Sequence, residues 1–263
     1  MPTISEAENI LQEQTVGPVT VLTLNDPKRR NALSIELRLA LRDRLRVLGE
    51  ADYCRAIVIT GAGGCFCAGG DLSTMRSDDP AGARVRLAIV QDIIRAVAAG
   101  PCPVVAAVDG AAFGAGMALA AACDHVMVCE NARFSASFAR LGLMPDAGLL
   151  WSLPQRIGAA RARALMLSGR EIDGAEALAL GLADEICEAE GLVAHAIKRA
   201  SAFARGAPMA QAQVKAAFTR SAPSLEDVFA MERDGQPLLF GTADFAEGLA
   251  AFRDRRAPEF SGR

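Results

Sequence analysis

Two glycine-rich runs carry the first candidates for chemistry, and the groups they offer are main-chain amides. The upstream run is "GAGGCFCAGGDL" (61–72) and the second is "DGAAFGAGMALAAACDH" (109–125), where three glycines and seven alanines leave ionisable groups only at the ends. A glycine loop between a strand and a helix can cradle phosphate, bind a dinucleotide, or turn the chain. The phosphate loop needs G-x-x-x-x-G-K-[ST], and neither run contains lysine. The dinucleotide fingerprint needs G-x-G-x-x-G, and after Gly114 and Gly116 its third glycine position is Leu119. What remains is a helix start: Gly114 through Met117 would open the helix "GAGMALAAAC", whose first N–H groups have no intrahelical partner. Small residues there let a ligand approach the backbone, and a second free amide from the upstream loop would complete an oxyanion hole. The competing reading of either loop is a plain tight turn.

The ionisable side chains are sparse and individually ambiguous. Asp146 sits in "LGLMPDAGLLWSLPQRIG" (141–158), and "PDAG" before an apolar run reads locally as a helix N-cap. Asp71, ahead of "LSTMRS", reads as a cap or loop hydrogen-bonder, Asp109 as a turn residue before Gly110, and Asp124 as structural. His125 borders a buried strand and reads as core, while His195 falls on a C-terminal helix. Seven cysteines are scattered, several of them in apolar runs as small hydrophobes, and Cys65 and Cys67 lie too close together for a structural zinc site.

The elements that must position these groups alternate. Strands are predicted at "VTVLTLN" (19–25), "CRAIVITG" (54–61), "PCPVVAAVDG" (101–110), "CDHVMVCEN" and "ARFSAS". Ser34 is placed to cap the helix "SIELRLALRDRLRVLGE", and "ARVRLAIVQDIIRAVAAG" (83–100) has helical spacing with a glycine stop. From "LLWSLPQRIG" onward, including "DGAEALALGLADEIC", the pattern is mostly helical. The fold class is α/β, with a core over 1–195 and a helical extension over 196–263 that must pack on the core or on another subunit. With 263 residues, 51% hydrophobic composition and a net charge of −3, the chain has no general affinity for nucleic acid or acidic membranes. The N-terminus lacks signal-peptide architecture, and the apolar stretch around 102–123 is broken by Pro103, Asp109 and glycines. A cytoplasmic protein is expected.

"GCFCAGGDL" and "VDGAAFGAGMALAAACDHVMV" resemble the two loops and central helix of the crotonase (enoyl-CoA hydratase/isomerase) superfamily, and "LNDPKRRNALS" and "EGLAAFRDRRAPEF" extend the likeness to nearly the whole chain. The resemblance implies a crotonase-type spiral of ββα units, a helical C-terminal region used in homotrimers or hexamers, and acyl-CoA as substrate. It places the oxyanion donors on the amides of Gly70 and Ala115. Substrate contacts fall on Ala68, Gly69, Asp71, Leu72 and Gly114, with Lys28 and Arg29 in the early CoA loop and Arg253, Arg255 and Arg256 near the CoA adenine and phosphates. The paired glutamates of the family's hydratases correspond to Ala118 and Phe138, both apolar. Asp146 matches the single acid of several enoyl-CoA isomerases and of the ring-epoxide isomerases of phenylacetyl-CoA breakdown. Phe138 and Trp151 would then line an acyl pocket. The implied reaction moves a double bond through an enolate, needs no metal or redox cofactor, and has coenzyme A as part of the substrate. The alternatives are a hydratase whose acid lies elsewhere, and a non-catalytic CoA- or RNA-binding relative.

Overall fold

The computed structural model describes residues 10–75, 78–219 and 224–263. In chain order the first elements are β1 (Leu11–Val16), β2 (Val19–Leu24), α1 (Ile35–Glu50), β3 (Ala56–Gly61) and α2 (Pro80–Ala99). They are followed by β4 (Val104–Val108), β5 (Ala111–Phe113), α3 (Ala115–Ala122), β6 (His125–Cys129) and β7 (Arg133–Ser135). Next come α4 (Leu149–Ile157), α5 (Ala159–Ser168), β8 (Glu171–Asp173), α6 (Gly174–Leu180) and β9 (Glu185–Cys187). Four helices close the chain: α7 (Leu192–Ala204), α8 (Pro208–Phe218), α9 (Leu225–Phe240) and α10 (Ala243–Asp254).

The main sheet runs β1-β2-β3-β4-β6-β9, antiparallel at the first pair and parallel from β2 onward. A second, small sheet orders β5-β7-β8. The alternation expected of strands sorts side chains to two cores. Leu22, Leu24, Ile57, Ile59, Val104 and Ala106 face the helix layer that includes α1 and α2. Val19, Val21, Val58, Val105 and Ala107 face α7, which lays Leu192, Ala196, Ala200 and Ala204 against them at four-residue spacing. Ser34 caps α1 as expected, accepting from the Leu37 amide at 3.2 Å.

Several sequence expectations need correction. β1 lies within a stretch that gave no strand signal: five of its six residues are exposed, so it is an edge strand recognisable only by its pairing with β2. β5, β8 and β9 are three-residue strands inside segments read as loop or helix, and tertiary pairing creates them. α7 runs through residues 195 and 196, and its apolar ridge is part of the core.

Asp124 is structural, as expected. It accepts from the Val104 amide at 2.7 Å and pairs with Lys215 of α8, whose ammonium also donates to the Val97 carbonyl at 2.8 Å. His125 lies between Asp184 and Glu185 with its ring edge-on to Phe203, and burial holds its pKa below the ordinary value. No helix among the described residues is long and apolar enough to cross a membrane.

Candidate active site

The two glycine runs meet. Cys67 donates its amide to the Ala111 carbonyl and accepts from Phe113, both at 2.9 Å, which zips the upstream loop onto β5. On its other side Ala68 donates to Arg30 (3.0 Å) and Leu33 donates to Gly69 (2.7 Å). Buried Asn31 staples the loop's beginning: its amide donates to the carbonyls of Ala62 (2.9 Å) and Cys65 (2.5 Å), and its oxygen accepts from the Asp26 amide (2.8 Å). With both flanks clamped, the amides of Gly70 and Ala115 donate to no other described residue. Both lie in the wall of one cleft of about 510 Å³.

Glycine is required at two points of this contact. Gly69 has φ +102°, and a Cβ there would lie 2.8 Å from the Phe113 carbonyl oxygen and 3.6 Å from the Ala115 nitrogen. Gly114 has φ +50° and ψ −116° immediately before α3, so it turns the chain and leaves Ala115 as the first helical amide. The sequence expectation of a helix opening at this glycine holds.

The same cleft holds Asp146. It is half-buried, and its Oδ1 is shut from solvent without a hydrogen-bond partner. Burial pushes its carboxyl above the ordinary aspartate value, while the charge of Arg38 pulls the other way. The N-cap reading of Asp146 is corrected: Gly148 occupies that position of α4, and Asp146 contributes only its backbone carbonyl, to Leu149 at 3.0 Å.

Asp71 is the other carboxylate of the cleft wall, and it is occupied. It caps the 3₁₀ turn Leu72–Thr74, accepting from the amide (3.0 Å) and hydroxyl (2.6 Å) of Ser73, and pairs with Arg29 at 3.4 Å. The Ser73 hydroxyl above all holds its pKa below the usual carboxylate range. Its expected role as a cap is what the structure shows.

The cleft thus gathers Arg29, Ala68, Gly69, Gly70, Asp71 and Leu72 with Gly114, Ala115, Phe138 and Asp146. Three residues expected there are elsewhere. Lys28 is exposed on the turn before Arg29, outside the cleft wall. Trp151 lies on the first turn of α4 with its Nε1 buried and unpartnered, and it is not part of the cleft wall. Arg255 caps the C-terminal end of α10, exposed and not part of the cleft wall, and Arg256 beside it pairs with Glu247 at 2.5 Å. The positions of the two expected hydratase glutamates are buried and apolar, with Ala118 fully buried in α3 and Phe138 against Gly114. Sequence reasoning missed Arg38 and Arg86, which also line the cleft. The available signal for Arg38 was an arginine bordering the apolar stripe Leu37, Leu41, Leu45 and Leu48 of α1. Among the described residues no three His, Cys, Asp or Glu side chains gather as a metal site.

Free amides and an unpartnered carboxylate oxygen in one cleft make an arrangement that can stabilise an oxyanion while moving a proton. The sequence pattern of the family described as "Enoyl-CoA hydratase/isomerase" matches residues 14–263. The chain belongs to that family. It is similar to a "Probable enoyl-CoA hydratase" of Rhodobacter capsulatus, 40% identical over 93% of this chain and 95% of the relative. It is also similar to the "1,2-epoxyphenylacetyl-CoA isomerase" of Escherichia coli, 35% identical over 97% and 99%. A solved enoyl-CoA hydratase/isomerase of Cupriavidus metallidurans superposes with a TM-score of 0.89 at 35% identity, covering 98% of each chain. The crotonase fold expected from the two glycine loops is therefore the fold of this family member.

Proposed function

We propose that this protein is an acyl-CoA isomerase that shifts a double bond from the 3- to the 2-position of an enoyl-CoA, or performs a related ring isomerisation. The observation that carries the reading is the isolation of Asp146: of the two carboxylates in the cleft wall, it alone is free of hydrogen bonds to other groups. Asp146 takes a proton from the carbon next to the thioester carbonyl. The electron pair moves onto the thioester oxygen, and the resulting dienolate is held by the amides of Gly70 and Ala115. The same carboxyl, now protonated, returns the proton two carbons along as the carbonyl re-forms. Nothing is oxidised, and no water is consumed. The apolar cleft supports this by excluding water that would exchange the proton.

A hydratase of the two-carboxylate kind has less support, because Ala118 and Phe138 offer no acid and Asp71 is engaged. A non-catalytic CoA-binding role leaves the buried, unpaired Asp146 without a purpose. In the proposed assembly the subunits meet through the C-terminal helices, in accord with the exposed Phe240, Phe245 and Phe252 on α9 and α10. The test is the absorbance of the conjugated thioester during incubation with a 3-enoyl-CoA. Wild type should generate it and Asp146→Asn should not; equal rates from both would refute the assignment.

A further inference from the structure

An apolar acyl group does not need the positive charge this cleft contains. Arg29, Arg38 and Arg86 all line it. Two of them are paired: Arg29 with Asp26 (2.6 Å) and Asp71 (3.4 Å), and Arg86 with Asp79 (3.3 Å). Arg38 pairs with no carboxylate among the described residues, although it is only 6% exposed. Its Nε donates to the Leu33 carbonyl at 2.7 Å and its Nη1 to the Arg86 carbonyl at 3.3 Å, so main-chain groups at the start of α1 and on α2 fix the guanidinium plane. Nη2 is turned to the upstream loop, 3.5 Å from where a Cβ on Gly70 would lie.

Burying a guanidinium without a counter-ion is costly, and so is burying a carboxylate. The complementary group is Asp146, whose Oδ1 is buried and unpartnered. Yet no ion pair or hydrogen bond joins the two, although both line this one cleft and the Arg38 charge is felt at Asp146. This separation has a chemical use. A direct pair would occupy the carboxylate and weaken it as a base, whereas with no cation at all burial would push its carboxyl further up. We propose that Arg38 is a positioning residue of the proton transfer: its fixed charge holds Asp146 as a carboxylate in an apolar wall without taking the lone pair that must receive the substrate proton.

The other charged groups facing this space are accounted for. On the upstream loop Asp71 is paired with Arg29, which it shares with Asp26, and on α2 Arg86 is paired with Asp79. Cys67, behind Arg38, is kept neutral by burial, which pushes its thiol up to about 12. Arg38 is left as the charge that acts on Asp146, in line with the direction in which it moves that carboxyl.

The inference rests on the proposed role of Asp146, and its test separates the two. The Asp146 carboxyl carbon, assigned by its absence in Asp146→Asn, is followed by NMR over a pH titration without substrate. In Arg38→Gln, which keeps a donor for the Leu33 carbonyl but removes the charge, the midpoint should rise by about one pH unit or more. In Arg38→Lys, which keeps the charge, it should stay near the wild-type value. The acid limb of kcat/KM should move in step with the carboxyl. A second reading needs no substitution at Arg38: its Nε resonance in wild type should move at the Asp146 midpoint, and that movement should vanish in Asp146→Asn. An unchanged midpoint in Arg38→Gln, an equal rise in Arg38→Lys, or an Arg38 resonance indifferent to Asp146 would each overturn the inference. Failure of the isomerase reading would appear separately, as full turnover by Asp146→Asn.

Discussion

Gly69→Ala tests the claim that main-chain amides do the chemistry, because it disturbs them without touching any side chain. A Cβ at residue 69 would lie 2.8 Å from the Phe113 carbonyl oxygen, whereas ordinary contact begins at 3.4 Å, and φ is +102°. The two loops must separate by about half an ångström to restore contact, and the backbone strain adds about 1–3 kcal/mol. Loss of one oxyanion donor costs about 2.7–4 kcal/mol in the transition state, and a misplacement of about 1 Å costs about 10²-fold. Since the separation is smaller than that, kcat should fall by about 10- to 10²-fold, with a much smaller change in KM. The assay is steady-state conversion of a 3-enoyl-CoA, run beside thermal unfolding. Gly17→Ala is the control: φ is +56° in the β1–β2 turn, nothing lies within 4 Å of the added Cβ, and the site is remote. It should lower Tm comparably and leave kcat unchanged. A Gly69→Ala protein that loses stability but keeps kcat within about threefold, well short of the loss expected from a displaced donor, would refute the placement of the oxyanion hole.

The remaining predictions concern charge. Because burial raises the Asp146 pKa, its base form is lost as pH falls through a midpoint higher than that of free aspartate. The acid limb of kcat/KM should therefore sit above 3.8, the ordinary value, and a limb at or below it would count against Asp146 as base. The same displacement has a stability consequence. A carboxyl whose folded pKa is raised lends stability below its unfolded pKa and loses that contribution as pH rises through the folded one. Asp146→Asn should thus raise Tm at neutral pH, a gain that disappears in acid, as differential scanning calorimetry can check. Lys215→Met should cost about 3 kcal/mol in urea unfolding, because it leaves Asp124 without its cation and the Val97 carbonyl without its donor. A loss below about 1 kcal/mol, typical of exposed pairs, would show the pair to be a surface one.

Much of the site could be read in the sequence because its working parts are backbone amides, and backbone geometry is what glycine spacing reports. The helix start at Gly114 was located that way, while likeness to a family put the donors on Gly70 and Ala115, and the structure joins them in one cleft. Asp146 was different. "PDAG" reads as a helix cap, and only likeness to a family singled the aspartate out; Gly148 takes the position before α4 instead. Arg38 stayed hidden because an arginine bordering the apolar stripe of an amphipathic helix looks like a solvated one until the fold buries it. Asn31 reaches Ala62 and Cys65, 31 and 34 positions away, and Lys215 reaches Asp124, 91 positions away, separations that local pattern does not bridge. β5, β8 and β9 are three-residue strands that exist only through their partners. Trp151 failed for a related reason, since its place on α4 and not its aromatic character decides what it faces.

Product mass tests the central claim most directly. Purified protein is incubated separately with a 3-enoyl-CoA and a 2-enoyl-CoA, and the products are weighed by mass spectrometry. A single carboxylate passing one proton between two carbons predicts the conjugated thioester from the 3-enoyl substrate at unchanged mass, and no gain of water on the 2-enoyl substrate. A product of the 2-enoyl-CoA heavier by one water would contradict it and make the enzyme a hydratase.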